Sequence, residues 1–261
     1  MRHPAVAGSF YPRNPESLIA MLKEYVSPNP DPRLVACVSP HAGYMYSGRT
    51  AGKVLSLTPK VDTYVILGPN HTGYGSPVAL GVDSWMTPLG VVEVDQEFVD
   101  AMPKITVVTD DTAHRYEHSL EVQIPFLQFL HGDVKIVPIC LGLQDQETAK
   151  EVCDEITKAE EETGKRIVVI ASSDMHHYLP DEECRRLDGE VINAILSMDI
   201  SAYYRKIYSM QASVCGYGTI GVAMYYAKHR NARAELVDYS TSGDVADRSS
   251  VVGYAGIAFR V

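Results

Sequence analysis

The stretch RIVVIASSDMHH, residues 166–177, decides the fold. Five consecutive apolar residues, Ile167–Ala171, mostly β-branched, read as a strand buried on both faces, the usual condition of a parallel sheet. The run then breaks into two serines, an aspartate and two histidines, so the strand ends in a polar turn. The same grammar recurs on either side. LVACVS (34–39) leads into SPHAGYMYSG, TYVILGPNH (63–71) ends in histidine, and KIVPICLG (135–142) ends in glycine. AELVDYSTSGD (234–244) and VVGYAGIAF (251–259) add two more strands.

Between these strands lie helical patterns. Asn14-Pro15 is a cap residue followed by proline, and Leu18, Ile19, Leu22 and Val26 follow at helical spacing. Ala149, Val152, Cys153 and Ile156 mark a helix over about 145–161, and Leu187, Val191, Ile192 and Ile195 mark another. PVALGVDSWMTPLGVVEVD (77–95) alternates and reads as antiparallel edge structure. Strands alternating with helices predict a layered α/β fold, a mixed but mostly parallel sheet with helices on both faces. No linker-like segment or internal repeat divides the chain, so residues 1–261 read as one domain.

Composition excludes several classes. A net charge of −10, from 33 acidic and 23 basic residues, offers no basic stripe for nucleic acid. No apolar run approaches membrane length, and MRHPAVAGSFYP lacks a signal-peptide core. A cytoplasmic location is expected. The five cysteines (37, 140, 153, 184, 215) are scattered and odd in number, unlike a disulfide framework or a zinc ribbon. Gly216-Tyr217-Gly218-Thr219-Ile220-Gly221 matches G-x-G-x-x-G. However, YSMQASVC before it reads as a helix end, whereas dinucleotide binding needs strand, turn, helix in that order, so no nucleotide is expected.

Ligands of open α/β sheets bind beyond the carboxyl ends of the strands. There the chain places His41, His71, and Asp174 with His176 and His177; HRYEHSLEVQ adds His114, Glu117, His118 and Glu121. Imidazole is both the commonest metal ligand and the usual acid–base group near neutral pH. Adjacent residues of extended chain face opposite ways, so one of His176 and His177 enters the pocket. If Ser172–Asp174 caps a helical turn, Asp174 and His177 share a side, which favours His177. Two histidines and a carboxylate make the facial set of non-haem Fe(II), here His41, His71 and Asp244, with Asp247 or Asp174 as other choices for the carboxylate. No G-x-S-x-G elbow is present. Cys215 has nothing basic beside it in sequence and reads as a buried thiol at the pocket wall. Tyr44, three residues after His41, is the aromatic expected to face a ligand.

These residues sit in blocks that resemble the MEMO family (mediator of ErbB2-driven cell motility). The blocks are AGSFYP (7–12), SPHAGYMYSG (39–48), ILGPNH (66–71), EHSLEVQIPF (117–126), IVPICLG (136–142), SSDMHH (172–177), CGYGTIG (215–221) and SSVVGYA (249–255). That resemblance implies a fold similar to class III extradiol dioxygenases of the LigB-like group, which cleave catechols with Fe(II). It implies His41 and His71 as metal ligands, with His177 and His118 lining the pocket. Animal members carry a cysteine near the position of Asp244, and thiolate would favour a softer ion such as Cu(I). The implied function is a metal-binding, dioxygenase-like redox enzyme in which His177, Asp174 and His118 are catalytic. The alternative is a non-enzymatic protein that holds a small molecule or peptide in the same pocket. Docking of phosphotyrosine, proposed for animal members, fits poorly with an acidic chain lacking an arginine cluster.

Overall fold

The β-branched runs pair as their burial demands. In the computed structural model, which describes all residues Met1–Val261, four strands form a parallel centre in the order β1-β8-β2-β7. These are β1 (Leu34–Ser39), β2 (Thr63–Pro69), β7 (Lys135–Leu141) and β8 (Ile167–Ser172). Each is buried along nearly its whole length, because both faces of the sheet are covered. Residues alternate between the two sides. Val65, Leu67, Val137, Ile139 and Val169 belong to one core, and Tyr64, Ile66, Ile136, Val168 and Ile170 to the other.

The first core is closed by α3 (Gln96–Ala101), α5 (Gln146–Thr163), α6 (Asp181–Leu196), α7 (Ile200–Met210) and α8 (Tyr217–His229). The second is closed by α1 (Pro15–Tyr25), α2 (Tyr44–Leu55) and α4 (Ile124–His131). Helix α1 starts as its cap requires, with the Asn14 side chain accepting from the Ser17 N–H and proline in the first turn.

Antiparallel strands flank the parallel centre. On one side β11 (Val251–Arg260) lies beside β1, and β10 (Arg233–Thr241) beside β11. On the other, β3 (Val78–Leu80) runs against β7, and β6 (Val108–Thr109) follows β3. The alternating segment forms β3 and a hairpin of β4 (Trp85–Thr87) and β5 (Gly90–Val94), with β5 also pairing β7. A short β9 (His177–Leu179) pairs with the start of β11. Helix α7, not a strand, precedes the glycine motif that opens α8. No helix is long and apolar enough to cross a membrane.

All the parallel strands point the same way, so the turns after β1, β2 and β8 gather at one edge. That edge carries the histidines.

Candidate functional site

His41 follows β1, His71 follows β2, and Asp174 and His177 follow β8; His118 comes from the turn before the 3-10 turn Glu121–Gln123. Three imidazoles meet there. Ring centroids are 5.1 Å apart for His41 and His71, 5.4 Å for His41 and His118, and 4.6 Å for His71 and His118. They line a cleft of about 590 Å³ together with His177, Phe10, Tyr46, Tyr178 and Tyr254. No lysine or arginine lines it. A larger groove, about 990 Å³, lies at the amino-terminal ends of the strands. Its one lysine beside a buried carboxylate, Lys165, is paired with buried Asp95 and with exposed Glu97, and no histidine or cysteine lines it.

Each ring is held from behind. The Nδ1 of His71 lies 2.9 Å from Glu117 Oε1, and its backbone N–H donates to Oε2 at 2.6 Å. Glu117 is wholly buried, and Oε1 also accepts the N–H groups of His118 and Ser119. Burial alone would push its carboxyl up, but these bonds, the one from His71 foremost, hold it down at about 2. His41 has Nδ1 at 2.9 Å from Ser172 Oγ, and its backbone N–H donates to Asp174 Oδ1 at 2.7 Å. Burial, then the neighbouring His118 and His71, keep His41 well below the usual imidazole range, and burial brings His118 down to about 4. Asp174 is pushed up to about 6 by burial, against the bond from the His41 N–H.

Cys215, at the start of the turn into α8, completes the arrangement. Its Sγ lies 3.2 Å from His41 Nε2 and accepts the Asp174 N–H at 3.2 Å. Potential ligand atoms of His41, His71 and Cys215 all fall within 4.8 Å of one another. A second grouping, His71, Glu117 and His118, meets the same distance limit, but there Glu117 already holds the His71 ring by hydrogen bond. Burial raises the Cys215 thiol pKa far above its ordinary value.

Three expectations need correction. Asp244 does not join the histidines. Its carboxylate accepts from Arg185 Nη2 at 2.6 Å and from the Thr241 N–H at 3.0 Å, closing the 3-10 turn Ser242–Asp244, and the group that lies beside His41 and His71 is the sulfur of Cys215. Tyr44 does not face the cleft, because α2 begins at this residue and turns it into the core. Its ring packs on Tyr11 and Phe126, and its hydroxyl donates to the Val122 carbonyl at 2.7 Å. Tyr46 lines the cleft instead. No helical turn follows Ser172; residues 173–176 are irregular, and Asp174 caps the His41 turn.

Of the adjacent pair, His177 lines the cleft with Nδ1 on the Ser213 carbonyl at 2.9 Å, whereas His176 is buried on Asp188 at 2.7 Å. The contact between Cys215 and His41 was not legible in the sequence because 174 residues separate them. The available signal was Gly216 beside it: a Cβ there would stand 2.4 Å from the Ser172 carbonyl, so this glycine lets the Cys215 turn approach the end of β8.

Known proteins share this arrangement of sequence. A family model described as Memo-like protein matches residues 2–258. A MEMO1 family protein of Archaeoglobus fulgidus is 74% identical over 261 residues, covering 100% of both chains. One from Methanosarcina barkeri is 49% identical over 98% of this chain and 99% of its own, and one from Thermococcus kodakarensis is 43% identical over 100% and 99%. Among solved structures, an uncharacterized protein of Escherichia coli K12 superposes with a TM-score of 0.56 at 11% identity, over 86% of this chain and 99% of that one, a likeness of fold alone. By the match across nearly its whole length, the chain belongs to the Memo-like family.

Proposed function

We propose that this protein is a metal-dependent redox protein whose ion is held by His41, His71 and Cys215. The observation that carries the reading is the convergence of two imidazoles and one thiol within 4.8 Å, the two imidazoles lining an open cleft. The donors fit a transition metal. His41 is kept neutral at pH 7 by burial, so it has a lone pair to offer. His71 is backed by a carboxylate, the arrangement that orients metal-binding histidines and raises their basicity. The donor set accepts Fe(II), as the family resemblance implies, and its sulfur shifts preference toward Cu(I) relative to a His/His/Asp set. Such an ion would supply one-electron chemistry at the cleft.

The chain's own groups handle protons. Cys215 must lose its proton as an ion arrives, so uptake releases a proton and strengthens with pH. Asp174, at about 6, exchanges a proton near neutrality beside His41. His177 and His118 face the same space and orient whatever enters. Without a cation in the lining, the cleft suits a neutral ligand better than a phosphorylated peptide.

Elemental analysis of untagged protein purified without oxygen tests the centre. Iron or copper at near-stoichiometric level is expected, lost in His41→Ala and in Cys215→Ser and retained in Asp244→Asn. Retention in the first two, or loss in the third, overturns the assignment. Oxygen uptake with a panel of catechols then separates an oxygen-using enzyme from a metal carrier.

A further inference from the structure

We infer that Ser172 and Gln123 fix the tautomer of His41, so that the metal-free protein already turns an Nε2 lone pair toward Cys215. The purpose of this device rests on the proposed centre; its content rests only on the direction of hydrogen bonds. The Ser119 carbonyl can only accept, and it lies 2.6 Å from Ser172 Oγ, so the one hydroxyl hydrogen of Ser172 goes there. The Pro40 carbonyl likewise only accepts, and at 2.9 Å it fixes which end of the Gln123 amide is nitrogen. The second hydrogen of that nitrogen is donated to Ser172 Oγ at 2.9 Å.

Ser172 Oγ then has one acceptor position left, and His41 Nδ1 occupies it at 2.9 Å. The ring must therefore donate from Nδ1. A neutral imidazole has one N–H, so Nε2 carries the lone pair, and it faces Cys215 Sγ at 3.2 Å, a gap that fits the thiol hydrogen. Ser119, Gln123 and Ser172 are completely buried and His41 is 2% exposed, so bulk water cannot substitute for any partner. Glu117, an obligate acceptor as a carboxylate, imposes the same tautomer on His71. Ser172 and Gln123 are thus positioning residues: one hydroxyl, saturated on three sides, leaves His41 a single choice.

The test uses the full chain, stripped of metal and labelled with ¹⁵N-histidine, at pH 8, where an ordinary imidazole is neutral. Protonated and unprotonated ring nitrogens differ widely in ¹⁵N shift, and His41→Ala assigns the signals. His41 is expected to be protonated on Nδ1. Ser172→Ala, a one-atom deletion, is expected to move the proton toward Nε2 and to weaken Zn(II) binding, measured against a competing chelator, by about 10- to 100-fold. A native spectrum with the proton on Nε2 overturns the inference without any variant. An unchanged tautomer in folded Ser172→Ala overturns it too. Zn(II) retained at full affinity by His41→Ala would instead sink the proposed centre and leave the tautomer reading standing.

Discussion

Replacing Arg2 with methionine should cost far more than losing an exposed arginine does. The Arg2 guanidinium sits against Glu121 at 2.7 Å, with the two side chains 5% and 0% exposed. It also donates to the carbonyls of His114 at 2.7 Å and Glu117 at 2.6 Å and lies 4.0 Å from the Trp85 ring centroid. Methionine keeps most of the stem and removes the charge, leaving Glu121 buried without its cation. Breaking a buried pair from one side costs about 3–5 kcal/mol. Unfolding entropy near 2.1 cal/mol/K per residue gives about 0.55 kcal/mol/K for a chain of 261 residues, so a loss of about 4 kcal/mol lowers Tm by about 7 °C. Thermal unfolding followed by circular dichroism at pH 7 measures it. Because the cost lies in the stranded carboxylate, adding Glu121→Gln should recover part of the loss. A drop below about 2 °C, or a double variant whose losses simply add, would mean that the pair behaves like a surface bridge and would refute the reasoning.

Acid should weaken the fold in a defined window. Burial holds His114 at about 4, against 6.5 for an ordinary imidazole, so the unfolded chain binds a proton that the folded one refuses. Stability from this group is complete above 6.5 and is lost as pH falls toward 4, by about 3 kcal/mol. His118 contributes in the same sense. Asp174, raised to about 6, opposes them, since its contribution is present below 3.8 and is lost as pH rises through 6. Urea midpoints between pH 7 and pH 4 should therefore fall, and His114→Asn should flatten the slope; an unchanged slope would contradict this account. Gly253→Ala should abolish soluble expression or cost more than about 3 kcal/mol. The new methyl would stand 1.8 Å from Asp188 Oδ2, a carboxylate pinned by His176 and by Tyr239 at 2.6 Å. By contrast, Gly189→Ala in the open interior of α6 meets nothing within 4 Å and should add up to about 1 kcal/mol; equal midpoints for the two would discredit the contact geometry.

The layered fold was legible because its central strands are continuous apolar runs, a pattern that only two-sided burial explains. Strand ends were legible for the same reason: the point where Ile170-Ala171 gives way to Ser172 is where the sheet stops. From there the rule of carboxyl-end sites brought His41, His71 and His177 together without any distance information, and the family resemblance added His118. What stayed hidden depends on contacts across the chain. Asp244 was read as a metal ligand at the end of a strand, yet Arg185 of α6 reaches across 59 residues to capture it. Tyr44 looked like a neighbour of His41, but a helix starting at that residue rotates it away. Cys215 looked chemically inert because its basic neighbour comes from the other end of the chain.

That last contact has a temporal consequence. Synthesis runs from the amino terminus, and by the time residue 177 has been added, His41, His71 and His118 are all present while the thiol is not. The sheet is equally incomplete, since β11, which lies beside β1, is the last strand made. Closing a contact over 174 residues is a late, high-contact-order event. On the proposed centre, a nascent chain would offer imidazoles to passing ions but could not trap one against sulfur until α8 docks. Secure metal retention would mark a finished molecule, distinguishing completed chains from those still on the ribosome.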